Sequence, residues 1–154
     1  LGEAENIAAR QAEMTHRDNL STHACILYTE MIHLLTEGGK GKEVIEQVAR
    51  DNKLIMALFT LEAGEELRPT GYVVDSFKCA LWSIATTESA EDAIVEAANL
   101  GGDADTIAAI AGGLAGAIYG YNQLPNRWIQ ELDPETKKEL DRLAEAAVEN
   151  RKER

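Results

Sequence analysis

From Thr106 to Gly120 the chain runs Thr-Ile-Ala-Ala-Ile-Ala-Gly-Gly-Leu-Ala-Gly-Ala-Ile-Tyr-Gly without a single charge, which leaves a helix apolar on every face. Such a helix belongs inside a protein core or a bilayer. Length excludes the bilayer, since a span takes about 20 predominantly apolar residues and this run is shorter. It reads instead as the central helix of a multi-helix core. Gly112, Gly116 and Gly120 recur every fourth residue along it, with Gly113 beside them. Each interior glycine costs a helix about 0.5–1 kcal/mol relative to alanine, so the stripe predicts close approach of a neighbouring helix or loop.

The residues leading into that helix carry the chemistry. Gly101-Gly-Asp-Ala-Asp-Thr106 places two carboxylates and a hydroxyl at one helix start. Oxygens at positions i, i+2 and i+3 converge on one hard cation where the chain turns tightly, and a Gly-Gly pair permits the turn. The competing assignment is local, with Asp103 as the N-cap and Asp105 favoured in the first turn by the helix dipole. One capping oxygen would suffice where three are present, and that redundancy points to the cation site.

Periodicity predicts helices over the remainder. They cover residues 3–14, Ala24–Thr36 with Cys25, Tyr28, Ile32 and Leu35 on one face, and Gly41 to about Phe59 with Val44, Ile45, Val48, Leu54, Ile55 and Leu58 apolar. An irregular loop from Gly64 to Gly71 follows, then helices over Val73–Ala85, over Ala90–Asn99 with Ser89 as N-cap and Asp92 three residues on, and from Pro134 through Glu135 to about Asn150. No segment alternates with period two, so the expected fold class is all-α. An apolar content of 45% in 154 residues suits one domain with a single core. Lys plus Arg at 15 against Asp plus Glu at 27 gives a net charge of −12, which repels phosphate backbones and anionic lipid, so neither nucleic acid nor a membrane is an expected partner. Cys25 and Cys79 lie in apolar helical stretches without zinc spacing or a secretory segment, and they read as two buried thiols of a cytoplasmic protein.

The string from Gly101 to Gly120, followed by Leu124-Pro125 and Trp128, resembles the C-terminal signature of the ADP-ribosylglycohydrolases. Upstream, Gly71-Tyr-Val-Val-Asp-Ser-Phe-Lys-Cys-Ala-Leu-Trp82 resembles that family's G-Y-V-x-D-[TS] helix, and Thr15-His16 its T-H step ahead of a long helix. The matching stretch runs from about residue 8 to about residue 132. The family's G-D-A-x-G helix and T-D-D-T motif have no counterpart in the string. The resemblance therefore implies that residues 1–154 are the C-terminal portion of one family domain, with the N-terminal part supplied in cis or as a separate chain. On that expectation the catalytic group sits on the other segment and these residues alone are inactive.

What the resemblance implies is a compact all-α bundle and a metal-dependent hydrolase. Its reaction would remove ADP-ribose from a modified protein or small-molecule acceptor at an N- or O-glycosidic bond. Asp103, Asp105 and Thr106 would bind ions of a binuclear Mg²⁺ or Mn²⁺ centre, and His16, Tyr72, Gly101 and Gly102 would hold the ADP-ribose. Read without the family, His16 is either a polar connector or an imidazole donating to a phosphate or sugar oxygen. Tyr72 either covers a helix end or stacks on a purine or ribose. Trp82 and Trp128 read as packing residues. A non-catalytic ADP-ribose-binding module, a structural helical module and another hydrolase using the same oxygen cluster are the alternatives.

Overall fold

The computed structural model describes residues 1–60 and 65–152, and every regular element among them is helical. One compact unit, Leu1–Gln123, holds α1 (Gly2–Thr15), α2 (Asn19–Thr36), α3 (Glu43–Asp51), α4 (Lys53–Phe59), α5 (Val73–Thr86), α6 (Ala90–Asn99), α7 (Ala104–Tyr119) and a 3-10 turn at Tyr121–Gln123. A second unit, Leu124–Arg154, holds α8 (Asn126–Glu131) and α9 (Pro134–Lys152). The all-α expectation holds. No helix among the described residues is long and apolar enough to cross a membrane.

Several boundaries follow local capping chemistry. Ser89 caps α6 as its sequence predicts, accepting from the Asp92 backbone N–H at 3.0 Å while donating to the Asp92 carboxylate at 2.8 Å. Helix α2 starts at Asn19 and not at Ala24, because the Asp18 carboxylate accepts from the backbone N–H of Leu20 and of Ser21, both at 3.0 Å. The single helix expected over Gly41–Phe59 is two helices broken at Asn52, whose side-chain amide donates to the Val48 carbonyl at 3.1 Å and to Glu30 Oε2 at 3.0 Å. An Asn that bonds local backbone in this way competes with continuation of the helix. Val44 and Val48 are buried as their pattern predicts; the side chains of Leu54 and Leu58, and Gly64 at the start of the expected loop, lie outside the described residues.

The core gathers where α5, α6 and α7 meet. Cys79 and Ala80 of α5, Ala97 of α6, and Ile107 and Ala111 of α7 are fully buried in one cluster, and so many small side chains let the helices pack closely. Phe77 extends this core toward α4 and α2, with its ring edge-on to Phe59 at 5.1 Å and to Tyr28 at 6.4 Å. The buried stripe of α2 is Ala24, Leu27, Met31 and Leu35. That corrects the expectation of two buried thiols: Cys25 stands on the flank of the stripe and is exposed, whereas Cys79 is buried. Burial pushes the Cys79 thiol up from its ordinary range.

The close approach expected along the glycine stripe occurs at one position, Gly113, where an added Cβ would meet the Tyr28 hydroxyl at 1.9 Å. At Gly112 the nearest atom is Ile94 Cγ1 at an ordinary 3.7 Å, and at Gly116 nothing lies within 4 Å. Gly120 ends the helix with φ +85°, a left-handed conformation that favours glycine. The Gly116→Ala variant is therefore expected to raise stability by about 0.5–1 kcal/mol, the helix-propensity difference, in a thermal melt. A lower melting temperature would show that this face is covered.

In the second unit Asp133 caps α9 by accepting from the Thr136 backbone N–H at 2.9 Å. The pairs Lys137–Asp141 and Glu139–Arg142 line the solvated face of that helix, in keeping with its dense mixed charge.

Candidate functional site

The mouth of α7 is built by glycine and fixed by the loop before α5. Gly101 and Gly102 have φ of +76° and +59°, so the chain turns through two left-handed residues into the helix. The Asp103 backbone N–H donates to the Pro69 carbonyl at 3.0 Å, and a Cβ on Gly102 would stand 1.8 Å from that same carbonyl oxygen. Asp103 occupies the N-cap position, yet its carboxylate caps no backbone N–H; Oδ1 accepts instead from the Thr106 hydroxyl at 3.0 Å. Its other oxygen, Oδ2, lies 3.2 Å from where a Cβ on Gly71 would be. The bare backbone of Gly71 thus clears the space beside this carboxylate. Asp105 and Thr106 are exposed and Asp103 is half-buried. Among the described residues neither Asp103 nor Asp105 pairs with a lysine or arginine.

The first turn of α5 holds that loop in place. Asp75, only 8% exposed, accepts from the Thr70 hydroxyl at 2.8 Å and from Arg68 Nη2 at 3.2 Å. The Ser76 hydroxyl donates to the Thr70 carbonyl at 2.7 Å, and the Tyr72 backbone N–H donates to Thr70 Oγ1 at 3.2 Å. Asp75 and Ser76 lie within the Gly71–Trp82 motif, and the string alone assigns neither of them a role. Their signal was available as a polar pair in the first turn of an otherwise apolar helix, where a buried carboxylate needs partners.

Against these two elements stands the α1–α2 junction, and the three enclose a cleft of about 730 Å³. His16 and Asp18 from the junction, Tyr28 from α2, Gly71 and Tyr72 at the head of α5, and Thr106 of α7 all line it. The cleft therefore brings together His16, Tyr72 and Thr106 from the predicted site. Asp103 does not line it but hydrogen-bonds Thr106, which does, and Gly101, Gly102 and Asp105 are not on its wall either. Tyr72 is 52% exposed, which leaves its ring open to a ligand. His16 Nδ1 lies 3.1 Å from Thr15 Oγ1. The Ser21 hydroxyl, then the backbone N–H groups of Ser21 and Leu20, hold the Asp18 carboxylate below its usual range. Tyr28 donates across to the Ile110 carbonyl at 3.3 Å through the gap that Gly113 leaves, and burial pushes its phenol up, so it remains the donor.

Carboxylate and hydroxyl oxygens with open space beside them suit Mg²⁺ or Mn²⁺. Among the described residues no three His, Cys, Asp or Glu side chains are grouped to hold an ion. Asp103, Asp105 and Thr106 would thus supply part of a six-oxygen shell, the rest coming from water, ligand or other protein segments.

With this geometry in view, the chain matches the sequence profile of the ADP-ribosylglycohydrolases over residues 2–154. It belongs to the ADP-ribosylglycohydrolase family. It is 35% identical over 129 residues to "ADP-ribosylarginine hydrolase Tri1" of Pseudomonas putida, an alignment covering 79% of this chain and 34% of that protein. It is 34% identical over 140 residues to "ADP-ribosyl-[dinitrogen reductase] glycohydrolase" of Rhodospirillum rubrum, covering 90% of this chain and 46% of that one. A solved structure, "ADP-ribosylglycohydrolase-related protein complex", superposes with a TM-score of 0.77 at 30% identity over 91% of this chain and 50% of its own. The chain thus spans about half or less of the length of these relatives. Within the ADP-ribosylglycohydrolase signature of this chain, Gly101 to Thr106 form the turn and first residues of α7, and Ile107, Ala111, Leu114 and Ala115 form its buried face.

Proposed function

We propose that this chain provides the cation-holding and ADP-ribose-holding portion of a hydrolase that releases ADP-ribose from modified protein side chains. The carrying observation is that Thr106, bonded to Asp103, shares one cleft with His16 and Tyr72, residues distant in sequence. A volume of about 730 Å³ falls in the range of small-molecule sites. In this reading the open ring of Tyr72 stacks on the base or ribose, and His16 hydrogen-bonds the body of the ligand. Asp103, Asp105 and Thr106 hold one or both ions of a binuclear Mg²⁺ or Mn²⁺ centre; among the described residues Asp103 pairs with no lysine or arginine, and its carboxylate caps no backbone N–H, both of which support a ligand role. A bound ion would supply Lewis acidity and orientation to ribose hydroxyls and water. The names of the Pseudomonas and Rhodospirillum relatives favour a protein acceptor, with arginine the first linkage to try, in the cytoplasm.

The test uses the full natural polypeptide, arginine-ADP-ribosylated protein and Mg²⁺ or Mn²⁺, and measures free ADP-ribose. Release that stops on chelation is expected, and no release from any ADP-ribosylated acceptor would refute the reading. Calorimetry adds a residue-level check. His16→Ala is expected to weaken ADP-ribose binding about tenfold while Mn²⁺ affinity stays unchanged, as loss of one or two ligand hydrogen bonds dictates.

A further inference from the structure

Two helix faces oppose each other across the cleft. Ser21, Cys25 and Tyr28 line it from α2 at the spacing of one helix face, and Thr106, Ala109 and Ile110 line it from α7 in the same way. Gly113 is the next position on that α7 face, and it does not line the cleft. The Tyr28 hydroxyl stands there instead, since a Cβ on Gly113 would lie 1.9 Å from it. From that notch the hydroxyl donates to the Ile110 carbonyl at 3.3 Å, and the direction is fixed because a carbonyl can only accept. A bond of that length is weak, so the notch holds the ring by shape more than by the bond. The ring lies edge-on to buried Phe77 at 6.4 Å. Tyr28 thus spans α2 to α7 and shuts the cleft where the α7 lining stops.

We infer that Tyr28 is a positioning residue: seated in the notch that Gly113 leaves, it closes this end of the cleft and sets the spacing between α2 and the Thr106 face of α7. Resting on the ADP-ribose reading above, this assigns the width of the site to a contact about two helix turns from Thr106. Gly113→Ala fills the notch. An ordinary contact needs about 3.4 Å, so the hydroxyl must retreat by roughly 1.5 Å. Either the ring swings or α2 backs away, and both alter the width across which the ligand is held.

In the full natural polypeptide Gly113→Ala is expected to lower ADP-ribose affinity roughly tenfold and the release rate on the order of 10- to 100-fold. Mn²⁺ affinity is expected to stay at the parent value, since α7 keeps its place. Tyr28→Phe, which keeps the ring and removes the hydroxyl, is expected to weaken ADP-ribose binding only about two- to threefold, the loss of one long bond. Adding Tyr28→Phe to Gly113→Ala is expected to bring affinity back to that level. The nearest remaining ring atom, Cζ, would lie 3.3 Å from the new Cβ, and a shift of a few tenths of an ångström relieves that contact. Parent-like affinity in Gly113→Ala, an equal loss of Mn²⁺ affinity, or no recovery in the double variant would overturn the inference. Thermal melts without ligand test the notch alone. Gly113→Ala is expected to raise the melting temperature by about 2 °C in the Tyr28→Phe background, as helix propensity dictates, and not to raise it in the parent. The same change in both backgrounds would show that the hydroxyl is not seated there, and would overturn the inference. A parent that binds no ADP-ribose would refute the functional reading instead, while the melts still decide the seating of Tyr28.

Discussion

Replacing Asp103 by Asn is expected to lower cation-dependent release of ADP-ribose by on the order of 100-fold or more while the melting temperature stays within about 2 °C of the parent. The separation of the two effects follows from the hydrogen bonds. Asn is as good an N-cap as Asp. The one side-chain bond that Asp103 makes among the described residues, from the Thr106 hydroxyl to Oδ1, is equally available to an amide oxygen. Its backbone link to Pro69 does not depend on the side chain at all. What Asn removes is the charge, and a hard divalent cation selects ionised oxygen. Mn²⁺ calorimetry and an ADP-ribose release assay on the same preparation read both sides. Parent-like Mn²⁺ affinity and rate would reduce Asp103 to a helix-start residue.

How much of this was legible beforehand depended on whether the signal was local. The apolar run from Thr106 to Gly120 announced a buried helix, and α7 has Ile107, Ala111, Leu114 and Ala115 in the core. Ser89 with Asp92 announced the start of α6, since a capping pair needs only the residues it contains. The break at Asn52 was not legible, because the Asn amide is drawn off in part by Glu30, far away in sequence. Cys25 and Tyr28 looked like core positions by spacing, but the face they share borders the cleft, and the true stripe runs through Ala24 and Leu27. Short α8, at six residues, gives periodicity too little length to register. The glycine stripe showed the same limit: four glycines looked equivalent in the string, yet only Gly113 faces an atom that a side chain would strike, the hydroxyl of Tyr28. At the site, the types of residue at the α7 mouth were readable from their chemistry. Their supports, Pro69, Thr70, Asp75 and Ser76, were not, since each matters only through a partner brought by folding.

The Gly102→Ala variant is expected to cost the protein roughly 2–4 kcal/mol and to take the ADP-ribose release activity with it. Alanine at φ +59° is strained in itself, by about 1–2 kcal/mol. The larger effect is steric, because its Cβ would lie 1.8 Å from the Pro69 carbonyl oxygen, and backbone cannot rotate out of the way as a side chain can. The loop must move, which breaks the 3.0 Å bond from the Asp103 N–H to Pro69 and displaces Asp103 and Thr106 together. For a unit of this size the loss corresponds to a melting temperature lower by on the order of 10 °C. Gly101→Ala serves as the matched comparison, since φ there is +76° but no atom lies within 4 Å of the added Cβ, so it should cost only the conformational part. Gly71→Ala separates site from scaffold in the other direction: its Cβ would sit 3.2 Å from Asp103 Oδ2 with Asp103 atoms as its only close neighbours, so activity and Mn²⁺ affinity should fall with little change in melting. If Gly102→Ala instead melts with Gly101→Ala and keeps its rate, the Pro69 contact does not hold the mouth of α7, and the loop that ties α5 to the candidate site is not what positions it.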